Sequence, residues 1–211
     1  MIFTMDFLSL LRRARDTRDS LFGDPLTDCF RLFHAGKDGL DGLTIDLYGN
    51  YLLVQIFYGE VWDRWPSLRS VLDSWIPELG VPVRGVLVKD RRRPENPRDP
   101  MPYESQLVAG EMPPADLTVR QGGVLCLVDL RKGQNTGLFL DMREVREKLI
   151  PYYPGISYLL NLFCYTGMFS VHAIRGGAAG ATNVDLSRPA LARARANYAA
   201  NGIGYDDRDF I

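Results

Sequence analysis

Apolar and polar residues follow two successive patterns along this chain. Between residues 28 and 132 the apolar runs are short, as at 29–34, 43–47 and 51–57, and turn-forming residues separate them. Such runs are typical of antiparallel β-hairpins. A helix is predicted over 63–79, where apolar residues recur at helical spacing. The pattern further predicts strands at 83–89, 117–119 and 124–129, and a proline-rich loop over 91–114.

The second pattern, from residue 133 onward, consists of helical and strand-like segments in alternation. The predicted elements are a helix over 139–150, a strand over 158–162, a helix over 167–175, a strand over 181–185, a helix over 189–201 and the start of a strand at 209–211. This alternation is typical of a parallel sheet with helices on both faces. We therefore predict an α/β chain that ends in the first half of a doubly wound, Rossmann-like sheet.

These patterns divide the chain into three parts. Residues 1–27 form a lead-in, with a helix over 5–20. Residues 28–132 form a β-rich α+β domain, which is a candidate substrate domain. Residues 133–211 form a partial nucleotide-binding domain.

Composition and charge restrict the class of protein. The net charge of -1 does not indicate a nucleic-acid binder. Three scattered cysteines argue against a disulfide scaffold and for a reducing compartment, and no apolar run has membrane-spanning length, so we expect a cytoplasmic protein with no membrane partner. His34 and His172 lack partners at metal-ligand spacing, and we expect no metal site.

A glycine turn and an acidic residue mark a candidate ligand site. The predicted strand at 158–162 is followed by a turn with Gly167 and then by a helix, and the next strand ends in Asp185. In nucleotide-binding sheets the glycine lets a ligand approach the backbone, and the acidic side chain binds the ribose hydroxyls. A dinucleotide site uses three glycines, whereas Gly167 is alone. The turn therefore favours S-adenosylmethionine, which has a ribose and no phosphate.

Two other interpretations stay open on these residues alone. An ordinary strand-helix-strand unit can carry such a turn without any ligand. A nicotinamide-dependent oxidoreductase is a more distant alternative, because the lone Gly167 is poorly suited to a pyrophosphate.

Four segments resemble the motifs of a known enzyme family. They are NLFCYTG (161–167), GQNTGLFLDMR (133–143), RLFHAGKDGLDGL (31–43) and VDLSRPAL (184–191). In this family the second segment reads GQKTGFFLDQR and the third RLVHGENDGLPGL. The chain thus resembles the S-adenosylmethionine-dependent 23S ribosomal RNA methyltransferases of the cytosine-5 position-1962 type and their guanine-N7 relatives. The resemblance extends from about residue 28 to the end.

The resemblance implies a cofactor, a substrate and a set of site residues. The cofactor is S-adenosylmethionine and the substrate is a base of large-subunit ribosomal RNA, with the cytosine-5 type preferred. The implied cofactor-binding residues are Gln134, Thr136, Gly137, Arg143, Asn161, Phe163, Tyr165, Thr166, Gly167, Asp185, Leu186 and Ser187.

Two of the residues in these segments have alternative roles. Arg143 either pairs with the carboxylate of the cofactor, which we favour, or with Glu147 one helical turn away. Cytosine-5 methyltransferases use a cysteine nucleophile, but Cys164 lies in the cofactor turn and is expected to be a packing residue.

One loop is densely basic. Lys89, Arg91, Arg92, Arg93 and Arg98 are candidate RNA-binding residues. A solvated surface loop, partly neutralised by Asp90, Glu95 and Asp99, is the interpretation we favour.

The methyltransferase pattern is incomplete in this sequence. The family's Asp-Pro-Pro motif is absent, and only two strands and the start of a third are predicted. We therefore expect a truncated form that is inactive alone, with its catalytic residues beyond Ile211. The unpaired edge of the strand at 158–162 and the exposed face of the helix at 168–174 predict self-association, unless the two domains fold together and leave a monomer. A non-catalytic RNA-binding or assembly fragment is the alternative function.

Overall fold

The computed structural model describes residues 4–94, 96, 98 and 102–211, and the side chains from residue 7 onward within these ranges. Two compact units are present. The first comprises Met1–Pro114 with Leu130–Gln134, and the second comprises Ala115–Asp129 with Asn135–Ile211. No described helix is long and apolar enough to cross a membrane.

The first unit is a five-stranded sheet with helices. Its elements are α1 (Thr4–Thr17), α2 (Asp19–Phe22), β1 (Cys29–His34), α3 (Ala35–Asp38), β2 (Leu43–Tyr48), β3 (Tyr51–Ile56), α4 (Gly59–Asp63), α5 (Trp65–Trp75), β4 (Gly85–Asp90) and β5 (Ser105–Gly110). The strand order is β1-β2-β3-β4-β5. Only the β3–β4 pair is parallel, since α4 and α5 supply the crossover that parallel neighbours require.

Helices α1 and α5 provide most of the helical contribution to the core of this unit. Phe7 and Leu11 of α1 are buried in one cluster with Leu68 and Leu72 of α5 and with apolar residues of the strands. Helical spacing places each pair on one face. Burial of such a face is the main source of helix stability in proteins.

The second unit contains two short sheets and three α-helices. Its elements are β6 (Leu117–Gln121), β7 (Val124–Val128), α6 (Arg143–Leu149), β8 (Leu159–Leu162), α7 (Met168–Arg175), β9 (Ala181–Val184) and α8 (Arg188–Ala200). Strands β6 and β7 form an antiparallel hairpin, and β8 and β9 are parallel. Phe210 forms an isolated parallel bridge with Asn183, as expected for the start of a third strand.

The hairpin β6–β7 corrects the domain boundary predicted at residue 132. Two side chains of the α8 segment bind the exposed backbone edge of β7. Asn201 accepts from the Leu125 amide (2.9 Å) and donates to the Leu125 carbonyl (2.7 Å), and Asn197 accepts from the Leu127 amide (2.9 Å). The side-chain amides of Asn197 and Asn201 pair with backbone groups of β7, and they attach the hairpin to the second unit.

In the second unit, only part of the helix predicted over 139–150 is α-helical, since α6 is flanked by the 3₁₀ turns Leu140–Met142 and Ile150–Tyr152. Three predicted elements of the first unit also differ from the structure. The proline-rich loop at 91–114 contains a strand, β5, which pairs with β4. The helix predicted over 63–79 corresponds to α5 and a short 3₁₀ turn, Ile76–Glu78, and a separate helix, α4, precedes it. The helix predicted over 5–20 is replaced by α1 and α2.

Gly42 provides a test of close packing in the first unit. It has a φ of +80°, and a Cβ added there would lie 2.5 Å from Cδ2 of Tyr58. We expect Gly42→Ala to lower the free energy of unfolding by about 2 kcal/mol or more, since it combines an unfavourable backbone conformation with a clash. Urea denaturation measures the change.

Gly49→Ala is the matched control. Gly49 also has a positive φ, +58°, but no atom within 4 Å of its added Cβ. Gly49→Ala should therefore lower the free energy of unfolding by only about 1–2 kcal/mol, which is the contribution of the backbone conformation. Equal losses for the two variants would contradict the packing role of Gly42.

We expect His172 to make the stability of the second unit depend on pH. Its ring is buried, and Nε2 has no hydrogen-bond partner among the described residues. Burial, together with the charge of Arg146, lowers the pKa of His172 from 6.5 to about 4. Between these two values the unfolded chain binds more protons than the folded chain. Stability should therefore fall as pH decreases from 6.5 to 4, by about 3 kcal/mol in total from this group.

Urea denaturation at several pH values measures this loss. In His172→Gln the slope between pH 6.5 and 4 should be reduced, even if the substitution itself destabilises the fold. An unchanged slope in the variant would refute the assignment.

Candidate functional site

The candidate site lies where the parallel strands β8 and β9 end. Leu162 and Val184 are paired in register, so the segments that follow them leave the sheet side by side. One segment is the turn 163–167, and the other is 185–187. Ligands of open α/β sheets bind outside the carboxyl ends of the strands. The two sequence features that indicated a nucleoside site are therefore adjacent in space.

The turn has an unusual backbone. Phe163, Tyr165 and Gly167 have φ values of +55°, +51° and +71°, all in the left-handed region. Such values are uncommon for residues other than glycine and cost free energy, and they cluster at functional sites. At Gly167 an added Cβ would lie 3.0 Å from the Cβ of Ala194, so α8 approaches the turn closely.

Asp185 joins the two segments. Its Oδ2 accepts a hydrogen bond from the Tyr165 amide (2.8 Å), and its Oδ1 accepts one from the Ser187 amide (2.9 Å). Each carboxylate oxygen can accept a second hydrogen bond. The half-buried carboxylate is thus held in place and retains the capacity to accept from two hydroxyls of a ligand.

A buried polar chain supports the turn from beneath. The side-chain Nδ2 of Asn161 donates to Ser170 Oγ (2.9 Å), and Ser170 Oγ donates to Asn183 Oδ1 (2.7 Å). Asn183 Nδ2 then donates to the Tyr198 hydroxyl (2.8 Å). Sequence reasoning missed all but the first of these residues, because their positions match the apolar pattern of a core. Asn161 was predicted to bind the cofactor, but its side-chain amide donates to this row of buried polar side chains.

A second set of hydrogen bonds fixes the other side of the turn. Thr166 Oγ1 donates to the carbonyl of Gly137 (2.6 Å), and Asn197 Nδ2 donates to the carbonyl of Thr166 (2.9 Å). The rings of Phe139 and Tyr165 lie 5.1 Å apart. The segment around Gly137 therefore contacts the turn, as the resemblance implied.

Four of the remaining predicted cofactor residues fall into two groups. Phe163 and Leu186 are exposed apolar side chains beside Asp185. Thr136 and Ser187 have structural partners. The carbonyl of Thr136 accepts from the Asp129 amide, and the Ser187 hydroxyl caps α8 by accepting from the Ala190 amide (3.3 Å).

Two further predicted residues have partners outside the turn and the 185–187 segment. Gln134 belongs to the first unit, where its carbonyl accepts from Arg91. Arg143 forms an ion pair with Glu147 (3.2 Å), the alternative role considered from the sequence. An Arg143 contact with a cofactor carboxylate would require it to exchange this partner and stays a prediction.

The surroundings of the two cysteines of the second unit disfavour the thiolate form. Burial, reinforced by the nearby charge of Asp185, raises the pKa of Cys164 to about 11. Burial raises the pKa of Cys126 to about 12. A thiolate is the reactive form, and both thiols are protonated at neutral pH. The structure agrees with the prediction that Cys164 is a packing residue.

The basic loop is less available to RNA than its sequence suggests. Lys89 is 1% exposed, and its ammonium donates to the Gly133 carbonyl (3.0 Å), so its prediction as an RNA contact is wrong. Arg91 and Arg92 are partly buried, whereas Arg93 and Arg98 are exposed. Glu95 and Asp99, the expected neutralising residues, lie outside the described residues. No cluster of metal ligands occurs in the described part of the chain.

The expected open edge of the second sheet is partly confirmed. Within the described residues β8 pairs only with β9, and Leu160 and Leu162 are exposed. The expected exposure of the α7 face is wrong for Met168 and Val171, which are buried under the neighbouring elements β7, α6 and α8, whereas Ile174 is partly exposed. Self-association through the edge stays a prediction.

Comparison with known proteins agrees with this geometry. The model of the S-adenosylmethionine-dependent methyltransferase family matches residues 30–211. Among curated proteins, ribosomal RNA large subunit methyltransferase I of Photobacterium profundum is 35% identical over 206 residues, which is 97% of this chain and 50% of the relative. The protein of the same name from Escherichia coli O139:H28 is 33% identical over 205 residues, again 97% and 50%.

Solved structures give the same result. A Streptococcus mutans protein described as a SAM-dependent methyltransferase superposes with a TM-score of 0.86 at 28% identity, covering 100% of this chain and 52% of that one. A methyltransferase crystallised with SAH gives 0.83 at 29% identity, with coverages of 100% and 51%. The chain spans about half the length of the relatives it matches. It belongs to the S-adenosylmethionine-dependent methyltransferase family.

Proposed function

We propose that the protein binds S-adenosylmethionine at the ends of β8 and β9 and transfers its methyl group to a base of large-subunit ribosomal RNA, at C5 of a cytosine. The main observation behind this proposal is that the Asp185 carboxylate accepts a hydrogen bond from the backbone amide of Tyr165, close to Gly167 with its left-handed backbone conformation. This arrangement presents an acceptor for ribose hydroxyls next to a turn without side-chain bulk.

Each part of the site has a proposed role toward the cofactor. Asp185 accepts from the ribose hydroxyls through its remaining lone pairs. The exposed side chain of Leu186 packs against the adenine, and the Gly167 turn lies along the methionine portion. Gly137 and its neighbours cover the cleft, since Thr166 ties their backbone to the turn.

The chemistry proposed for this site is methyl transfer to carbon. The bound cofactor supplies a methyl group on a positively charged sulfur, and S-adenosylhomocysteine leaves when the methyl is attacked. C5 of cytosine becomes nucleophilic when a thiolate adds to C6, and after methylation the loss of the C5 proton to a base and the expulsion of the thiolate release the product. Cys164 and Cys126 do not supply that thiolate, because their raised pKa values keep them protonated. The target base must also leave its stack to reach the cofactor.

Two observations support RNA as the substrate. Curated relatives are named for large-subunit ribosomal RNA. The segment Arg31–Leu43 resembles the cytosine-5 type more than its guanine-N7 relatives. The cytosine-5 assignment rests on that segment.

Isothermal titration with S-adenosylhomocysteine tests the cofactor proposal on this chain. We expect wild-type protein to bind, and Asp185→Ala to weaken binding about tenfold or more, because a charge-assisted hydrogen bond contributes about 1.5–3 kcal/mol. Asp185→Asn, which keeps one acceptor oxygen, should lie between the two.

Asp207→Ala is the control for this series. Asp207 is an exposed carboxylate of the same unit that pairs with Arg195 (3.2 Å), and its removal should leave the affinity unchanged. Circular dichroism verifies that each variant is folded. Unaltered binding by folded Asp185→Ala would refute the ribose role, and no binding by wild type would favour the non-catalytic alternative.

A further inference from the structure

The first unit contains an open cavity of about 790 Å³ that the cofactor proposal does not use. Besides Gly59, Pro94 and Pro102, three pairs of side chains line it. They are the aromatic Phe57 and Tyr58, the acidic Glu60 and Asp90, and the basic Arg92 and Arg93. Its volume is in the range of ordinary small-ligand sites. Aromatic rings beside arginines are the combination that recognises single-stranded nucleic acid.

Tyr58 is an exposed ring held in one place. It is 59% exposed, yet it packs closely over Gly42, where any Cβ would overlap its ring. The Phe57 amide donates to the Gly42 carbonyl (2.8 Å), which fixes the backbone beside the ring. A positioned aromatic face loses little conformational entropy when a base stacks on it. This packing also gives a structural reason for Gly42, one of the three glycines in the segment Arg31–Leu43.

The arginines differ in how firmly they are held. The Arg92 guanidinium lies 4.7 Å from the Trp62 ring and donates to both oxygens of Asp90 (3.0 and 2.8 Å). Burial acts to raise the pKa of Asp90, but Arg92 outweighs it and lowers the pKa, so this acid stays paired and ionised. Arg93 is exposed and has no ion-pair partner among the described residues. Among the described residues that line the cavity, its exposed side chain is the candidate contact for a phosphate.

We infer that this cavity binds one unpaired nucleotide of an RNA strand, with the base stacked on Tyr58 and the phosphate at Arg93. The inference rests on the proposed RNA substrate and specifies where a flanking part of it is held. The carboxylate of Glu60 would repel a ligand that placed only phosphate groups in the cavity. It suits a base instead, because a carboxylate accepts from exocyclic amino groups.

A fluorescently labelled single-stranded oligoribonucleotide is the probe, and anisotropy measures its affinity for the whole chain. Tyr58→Ala should weaken binding at least fivefold, the lower range of what one stacked base contributes. Arg93→Ala should weaken it as well and reduce the slope of log affinity against log salt by about 0.7, the value for one phosphate contact on a single strand.

Matched controls come from the second unit. Tyr152 is an exposed tyrosine and Arg175 an exposed arginine, and neither lines the cavity. Their alanine variants should bind RNA as wild type does. Tyr58→Phe keeps the ring and should also retain affinity, which separates stacking from a folding defect.

Each outcome decides the inference. Equal affinity of Tyr58→Ala and wild type, an equal loss in Tyr152→Ala, or no RNA binding at all would overturn it. If a polyglutamate peptide displaced the labelled probe as well as an unlabelled oligoribonucleotide does, binding would depend on charge alone, and the inference would be overturned. Titration of the same variants with S-adenosylhomocysteine should be unaffected. A failed cofactor titration with intact RNA results would instead count against the proposed methyltransferase function.

Discussion

The geometry of the cofactor turn depends on the side-chain amide of Asn197. This fully buried residue donates to the carbonyl of Thr166 and accepts from the amide of Leu127, so one side chain ties α8 to both the turn and the hairpin. An unpaired amide at this position would cost free energy, because buried polar groups are stabilised only by their partners. The left-handed backbone of Phe163 and Tyr165 is maintained by such surrounding contacts.

Asn183 has the corresponding role on the opposite side of the turn. It accepts from Ser170 and donates to Tyr198, which connects β9 to both α7 and α8. These two asparagines place the amino end of α7 and the ends of β8 and β9 in fixed relation. The exposed residues of the site, Leu186 and Phe163, are thus carried by a rigid frame, although their own side chains lie in solvent.

Much of the second unit could be predicted from the sequence, because strand-helix alternation and a glycine turn are local signals. The positions of Gly167 and Asp185 followed from them, and the family resemblance is confirmed by the match over residues 30–211. The attachment of the hairpin β6–β7 could not be predicted, since Asn197 and Asn201 are distant from it in sequence. Lys89 was misjudged for a similar reason. Its burial depends on the Gly133 carbonyl, which lies 44 positions away.

The distribution of tryptophan has a spectroscopic consequence. All three tryptophans of the chain, Trp62, Trp65 and Trp75, lie in the α4–α5 region of the first unit. The second unit has none, and its ring chromophores are tyrosines and phenylalanines. Intrinsic tryptophan emission therefore monitors the melting of one unit, whereas circular dichroism monitors both. Whether the two units unfold as one cooperative system can be determined from the coincidence of these two signals, without any label.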